Sequence, residues 1–331
     1  MNQPLLTIVV PTYDRPQDLR NLLETLLPQR DLRWTLLIVD NCSPVPARDI
    51  APADVEVVRN PVNIGASGNF ARCFELATTD WVWMIGDDDL VEPGGVERVL
   101  KSIVAYPDAA VINFGAKGHT DGRDRPLSFK GFDEFLAGCD SISYTVWMSG
   151  NVYARKHYWP FLHMAYWFAN THCGHYVLLM FALMNGGTFV QLPDPVCRQS
   201  TGSWDATGNP GELIAGVSGL AELPMTPRQR RIFCRLLRRK FVNLPVDAIV
   251  CAHHWSQTDD PAELLYLFTN RWIRFALAQG STGFLIKVLT FRFLLSVAPG
   301  RFLLKNVARL RSSLTGRPFH VRPATSRFHR A

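Results

Sequence analysis

The chain opens on an apolar run, Leu5 to Val10, interrupted only by Thr7. A strand buried on both faces reads this way, whereas a strand with one wet face would alternate. Pro11, Thr12 and Tyr13 close the run, Asp14 offers a capping carboxylate, and Pro16 suits the first turn of a helix predicted over about 15–27. Thr35 to Val39 repeats the buried-strand pattern and ends on Asp40-Asn41, and Val55 to Arg59 is a third, shorter run. A helix is predicted over 65–77, with Phe70, Phe74 and Ala77 on one stripe. Trp81 to Ile85 is a further strand, running straight into Gly86-Asp87-Asp88-Asp89, and a helix over 94–106 and a strand over 110–114 follow.

Strand and helix alternating at this spacing predict an α/β fold with a mostly parallel, Rossmann-like central sheet. Such sheets place ligands beyond the carboxyl ends of their strands. Those ends carry Tyr13 and Asp14, Asp40 and Asn41, and Asp87 to Asp89, so three polar clusters from distant sequence are expected to converge. The dinucleotide fingerprint G-x-G-x-x-G does not follow the first strand, which argues against a classical NAD-binding domain. Residues 115–205 read as short strands between polar, aromatic-rich loops. From about residue 225 the pattern turns helical, with Ile232, Phe233, Leu236 and Leu237 on one face and Arg228, Arg231 and Arg235 opposite. The expected organisation is an α/β domain over 1–205, a linker over 206–224 and a basic helical appendage over 225–331.

Composition sharpens that division. The 47% hydrophobic and 19% charged residues are those of a globular chain. The net charge of +6 is unevenly spread: residues 1–224 hold 16 Lys/Arg against 25 Asp/Glu, and residues 225–331 hold 19 against 4. An acidic body with a basic, apolar tail points to an anionic partner for the tail. Seven scattered cysteines without a C-x-x-C pair fit a reducing compartment. The start of the chain lacks a basic n-region and a long apolar stretch, so a cytoplasmic location is expected.

Three consecutive aspartates at a strand end oppose one another's ionisation, and a divalent cation removes that penalty. Mg²⁺ or Mn²⁺ takes a few carboxylates together with substrate phosphates, and would there neutralise a leaving diphosphate. The competing reading is a capped loop.

Four ordered segments carry a resemblance: Thr7–Pro16 (TIVVPTYDRP), Ile38–Pro44 (IVDNCSP), Asn60–Ala77 (NPVNIGASGNFARCFELA) and Trp81–Pro93 (WVWMIGDDDLVEP). Together they resemble the family 2 glycosyltransferases of the GT-A fold over roughly residues 5–205. The G-D-D-D form and the N-x-G…G-N-x-x-R segment are most similar to the abequosyltransferase-type enzymes of O-antigen and capsule assembly. The resemblance implies transfer of a sugar, with inversion, from a nucleotide-diphosphate donor to a saccharide or lipid-linked saccharide acceptor. It implies that Pro11 and Tyr13 border the base, that Asp40 (with Asn41) bonds it, and that Arg72 and Asp87 approach the ribose and phosphates. Asp88 or Asp89 would hold the cation, the spacing to Pro93 favouring Asp88. For Asp40 the alternative is a loop-capping role.

Inverting members usually carry the base as an Asp in an E-D pair opening a helix, with a Gly eleven positions later. Counting back eleven from Gly186 lands on His175, with no carboxylate nearby. His175 is therefore the candidate base, with His172 placed to orient it or to contact the acceptor; the alternative is a histidine that packs or caps the helix. The segment Trp147–Lys156 resembles the one under the donor sugar, making Ser149, Gly150 and Asn151 candidate hydroxyl contacts and Trp147 an apolar platform. Arg198 to Trp204 reads as a lid, with Arg198 reaching the diphosphate, or as an ordinary surface loop. Other readings are a metal-dependent nucleotidyltransferase, which would want a Gly- and Arg/Lys-rich loop after the first strand, and a saccharide-binding or scaffold relative without activity.

In the tail, Phe284 to Ala298 is apolar but broken by Lys287 and Arg292, too short and too charged for a spanning helix. Beyond Pro299-Gly300, Arg301, Lys305 and Arg309 share one face and Leu303, Val307, Leu310 and Leu314 another. That is the pattern of a helix lying on anionic lipid, and 284–314 is expected to dock peripherally on the inner face of the cell membrane. The alternative is a helical bundle with a solvated basic rim. No nucleic-acid motif is present.

Overall fold

The computed structural model describes residues 3–116, 124–139, 142–199, 216–240 and 262–315, in two compact units divided after Thr201. In the first unit, strands β1 (Leu6–Thr12), β2 (Trp34–Asp40), β3 (Glu56–Arg59) and β4 (Trp81–Met84) lie in the order β3-β2-β1-β4, all parallel. Every residue of β1 is buried, as its unbroken apolar run requires, and each large aliphatic side chain so buried contributes about 1.5–3 kcal/mol. Helix α1 (Pro16–Leu26) covers one face with Leu19, Leu22, Leu23 and Leu26. Helix α2 (Gly65–Leu76) places Phe74 edge-on to Tyr153 and Tyr158, each at 5.0 Å.

The chain then enters β5 (Asp89–Val91), helix α3 (Gly95–Ala105) and β6 (Ala109–Ala116). Helix α3 buries Val96, Val99, Leu100 and Ile103, the same spacing as in α1. The remaining strands are β7 (Leu127–Lys130), β8 (Asn151–Ala154) and β9 (Thr188–Gln199). Strand β8 runs antiparallel between β4 and β6, and β9 pairs parallel with β6 and antiparallel with β5 and β7. The parallel expectation thus holds for the four strands that carry the polar ends, while the second half of the sheet is mixed.

Residues 124–184 are more helical than their polar, aromatic composition suggests: α4 (Gly131–Gly138), α5 (Ser143–Val146), α6 (Arg155–Tyr158), α7 (Leu162–Trp167) and α8 (Gly174–Met184). Aromatic side chains spaced for packing, such as Tyr158 and Phe135, build these short helices into a second layer. Helix α8 is buried from Gly174 to Leu183, so it carries no polar face, and Gly186 at φ +80° ends it in the left-handed conformation a side chain would strain.

The second unit contains α9 (Pro227–Lys240), α10 (Ala262–Gln279), α11 (Thr282–Ser296) and α12 (Ala298–Thr315). Phe233, Cys234 and Leu237 of α9 are buried, with Arg228, Arg231 and Arg235 outside. Trp272 and Phe275 of α10 pack on Phe291 and Phe284 of α11, ring centres 5.7 and 5.9 Å apart. Among the described residues no single helix is long and apolar enough to cross a membrane, and α11 meets the start of α12 at 112°.

Candidate active site

Parallel pairing brings the ends of β1, β2 and β4 side by side. Thr12 lies opposite Asp40 in register, and its hydroxyl donates to Asp87 Oδ2 at 2.8 Å. The Asn41 amide continues the pairing to the Thr12 carbonyl at 2.9 Å. The convergence of three strand ends expected from the sequence is therefore present.

Gly86 to Asp89 form a tight turn closed by the Asp89 amide donating to the Gly86 carbonyl at 3.0 Å. Consecutive residues of a turn point apart, and the three carboxylates have three environments. Asp87 is buried against Thr12 and Arg15, and burial pushes its carboxyl up to about 6, against the pull of Arg15. Asp88 is half-buried, with Oδ2 accepting from Arg15 Nη1 at 2.6 Å; the same nitrogen donates to Asp87 Oδ1 at 3.1 Å. Asp89 turns inward as the first residue of β5, where Ser149 Oγ and the Trp147 side chain bond its carboxyl. Burial pushes Asp89 up to about 8, so it is largely protonated at neutral pH in this state.

Ser149 is a packing hub rather than a sugar contact. Its hydroxyl accepts from the Gly86 amide at 2.9 Å while donating to Asp89, and its carbonyl accepts from the Trp83 indole at 2.8 Å. Asn151 is equally enclosed: its amide nitrogen donates to the Thr145 and Trp147 carbonyls at 2.9 and 2.8 Å, and its oxygen accepts from Asn113 at 2.9 Å. Gly150 is buried, and a Cβ there would sit 3.1 Å from the Trp147 ring. The hydroxyl-contact roles expected of Ser149, Gly150 and Asn151 are thus corrected, because β8 inserts into the sheet at this point. Trp147, half-buried, remains at the edge of the acid cluster.

Asp40 is wholly buried and holds its own loop. It accepts from the Ser43 and Ala47 amides at 2.8 and 3.1 Å and pairs with Arg59 at 2.5 Å. Burial alone would raise its pKa, but the Ser43, Ala47 and Arg59 hydrogen bonds outweigh it and hold the carboxyl below its ordinary value. Asn41 is tied to Asn63 at 2.8 Å and accepts from Asn60 and the Ile64 amide, each at 3.0 Å. Both contact sets describe the loop-capping alternative. Pro11 is buried within β1, whereas Tyr13 is 44% exposed at the strand end. Arg72 lies on α2, 3.8 Å from Glu75.

His175 does not face an opening. It is 4% exposed near the start of α8, its Nε2 2.7 Å from the Val146 carbonyl and its ring edge-on to Phe70. Burial lowers its pKa to about 4, which makes it a poor proton acceptor at pH 7. The general-base role is corrected to the packing role, because a helix apolar on every side encloses whatever its first turn carries. His172 is half-buried and left-handed at φ +57°. Arg198 sits on β9, 3.1 Å from Glu92. Trp204 and the side chains of Lys305 and Arg309 lie outside the described residues.

Sequence reasoning passed over Thr12 and Arg15, although both fall within the quoted Thr7–Pro16 segment. Their place within five positions of the end of the buried run Leu5–Val10, on its carboxyl side, was the available signal. Among the described residues no cluster of three His, Cys, Asp or Glu is gathered like a metal cage. The donor chemistry fits Mg²⁺ or Mn²⁺ only as a site shared with phosphates and water, with Asp88 the least buried of the three carboxylates. Asp89 does not fit, since its carboxyl is enclosed and bonded.

A four-stranded parallel core with an acid turn beyond its carboxyl ends defines a GT-A-type domain. The structure of S. aureus TarS residues 1–349 in complex with UDP-GlcNAc has this fold, with a TM-score of 0.57 at 16% identity over 94% of this chain and 92% of that one. Residues 7–174, half of the chain, match the profile of glycosyl transferase family 2, and the chain belongs to that family. It is 33% identical over 115 residues to an uncharacterized glycosyltransferase of Haemophilus influenzae, covering 34% of this chain and 39% of that protein. It is 31% identical over 113 residues to the galactofuranosyltransferase GlfT1 of Mycobacterium tuberculosis, covering 32% and 36%. The match to the Bacillus subtilis uncharacterized glycosyltransferase YwdF, 28% over 177 residues, covers 50% of this chain and 63% of that one, so less than two thirds of each relative is spanned.

Proposed function

We propose that the chain transfers a sugar from a nucleoside-diphosphate donor to a saccharide acceptor, lipid-linked, in surface-polysaccharide assembly. The observation that carries this reading is the junction of Thr12, Arg15, Asp87 and Asp88 at the carboxyl ends of β1 and β4 in a family 2 domain. Tyr13, exposed beside that junction, offers its ring face to a nucleobase. Asp88 supplies a carboxylate for Mg²⁺ or Mn²⁺, which when bound would neutralise charge on the departing diphosphate. Thr12 orients Asp87, and Trp147 walls the site where the sugar would rest. Displacement at the anomeric carbon with inversion is the expected course.

The second unit is assigned to an anionic lipid surface, which would hold the protein at the inner face of a membrane. Helix α11 exposes Ile286, Leu289 and Phe293, and α12 exposes Phe302, Leu303, Val307 and Leu310, on the side away from their buried stripes. Exposed apolar stripes rimmed by Lys287 in a segment with 19 basic and 4 acidic residues suit interfacial docking.

A thermal-shift screen of nucleotide-sugars with and without Mn²⁺ tests the main reading. One donor should stabilise the chain in a metal-dependent way, and Asp88→Ala should remove the effect. No response to any donor would defeat it. The burial of His175 favours one other reading, a donor-binding relative that does not transfer. Donor binding without turnover in the presence of membrane lipid extract would select that alternative.

A further inference from the structure

Among the described residues Arg15 is the basic side chain paired with the acid turn, and its position bears on how the site loads. One of its nitrogens bridges Asp87 Oδ1 and Asp88 Oδ2, at 3.1 and 2.6 Å. The other oxygen of Asp88, Oδ1, folds back over Gly86, 2.9 Å from where a Cβ on that glycine would stand. The outward-facing oxygen of Asp88 is therefore the one Arg15 holds. A divalent cation binds a carboxylate oxygen at about 2.1 Å, where its charge would repel a guanidinium held on the same oxygen.

The backbone around Arg15 is pinned. Asp14 is held left-handed at φ +52° with its amide donating to Ser43 Oγ at 3.1 Å, the Arg15 carbonyl caps α1 by accepting from the Leu19 amide at 3.1 Å, and Pro16 follows directly. Release of Asp88 must then come from rotation of the long Arg15 side chain, with the loop unmoved.

We propose that Arg15 is the counter-ion of Asp88 before a divalent cation binds, and that it then leaves Asp88 and swings onto the diphosphate. This rests on the reading of Asp88 as the cation-binding carboxylate. A guanidinium matches phosphate oxygens with two parallel donors, whereas on Asp87 and Asp88 it spends a single nitrogen on both. The exchange keeps the acid turn neutralised in both states and couples the two ligands: the divalent cation takes the carboxylate that Arg15 vacates, and the diphosphate receives Arg15. Cation binding without phosphate is then weak, because Arg15 gives up Asp88 with no diphosphate to replace it.

The full chain, with Arg15→Gln, Arg15→Lys, Asp88→Asn and the Arg15→Gln/Asp88→Asn double variant, tests this using two probes, Mn²⁺ alone and inorganic pyrophosphate. Free Mn²⁺ is counted by electron paramagnetic resonance. Arg15→Gln should bind Mn²⁺ alone about tenfold more tightly than the wild type, and should bind pyrophosphate about tenfold more weakly at saturating Mn²⁺. Arg15→Lys, which keeps the charge and protects against loss of folding, should stay near the wild type for Mn²⁺ and fall short only on pyrophosphate. An Arg15→Gln affinity for Mn²⁺ at or below wild type, or unchanged pyrophosphate binding, overturns the proposal. The double variant separates the two ideas: if it binds Mn²⁺ as tightly as Arg15→Gln, the assignment of Asp88 is at fault. No Mn²⁺ binding by any of these proteins overturns both.

Discussion

Replacing His175 with Gln tests whether this histidine is a core residue, and the size of the effect follows from its surroundings. A histidine in the unfolded chain titrates near 6.5, and burial in α8 lowers that to about 4 in the folded protein. The difference links the imidazole to about 3 kcal/mol of stability across the interval. Above pH 6.5 neither state holds the proton and the full stability is present. As pH falls from 6.5 toward 4 the unfolded chain takes up the proton first, so stability is lost, and below 4 the loss levels off. Asp87 and Asp89, raised to about 6 and about 8, act in the opposite sense, since their folded carboxyls protonate before the unfolded ones. The informative quantity is therefore the difference between wild type and His175→Gln, in which the aspartate contributions cancel. Gln retains a donor for the Val146 carbonyl and does not titrate. Hydrogen exchange of the α8 amides, corrected for intrinsic rates, reads the opening free energy between pH 4 and 7.5. The wild type should lose about 3 kcal/mol relative to the variant over that range. Parallel profiles, or a variant of unchanged stability that has lost all turnover, would refute the argument and restore His175 as a base.

Three further outcomes are expected. Asp88→Asn should abolish metal-dependent donor binding, while Asp89→Asn, replacing a carboxyl already protonated at neutral pH, should change stability by under about 1 kcal/mol in urea unfolding. Ser149→Ala should cost about 1–3 kcal/mol by the same measurement, because the buried Gly86 amide and Asp89 both lose their partner. The wild type should float with phosphatidylglycerol vesicles in a salt-sensitive manner and much less with phosphatidylcholine, and Phe293→Glu with Leu303→Glu should abolish flotation; equal flotation of the double variant would count against the lipid surface.

The parts of the fold visible in the sequence were those governed by a single local rule. The apolar runs of β1, β2 and β4 report burial on both faces, and their polar ends report where a parallel sheet gathers ligands. Directions of individual side chains were not visible. Three adjacent aspartates look alike in a string, yet a turn sends Asp88 outward and Asp89 into the core. Ser149 to Asn151 lie where β8 enters the sheet antiparallel, a long-range pairing that no local periodicity announces. The environment of His175 could have been read, since Gly174 to Met184 has no polar face to offer solvent. Arg15 was hidden for another reason: its reach depends on the left-handed turn at Asp14, a conformation seldom adopted by a residue other than glycine.

Beneath the acid turn, Gln191 donates to Asn113 at 3.4 Å and Asn113 to Asn151 at 2.9 Å, and Asn151 closes on the carbonyls of Thr145 and Trp147. Every link in this line is an amide, so none gains or loses charge anywhere in the range where proteins survive. This amide line under Trp147 is indifferent to acidity while the carboxylates of the acid turn change state. Trp147 can then serve as an optical gauge once the other eight tryptophans are subtracted: the emission difference between wild type and Trp147→Phe should respond to events at Asp89.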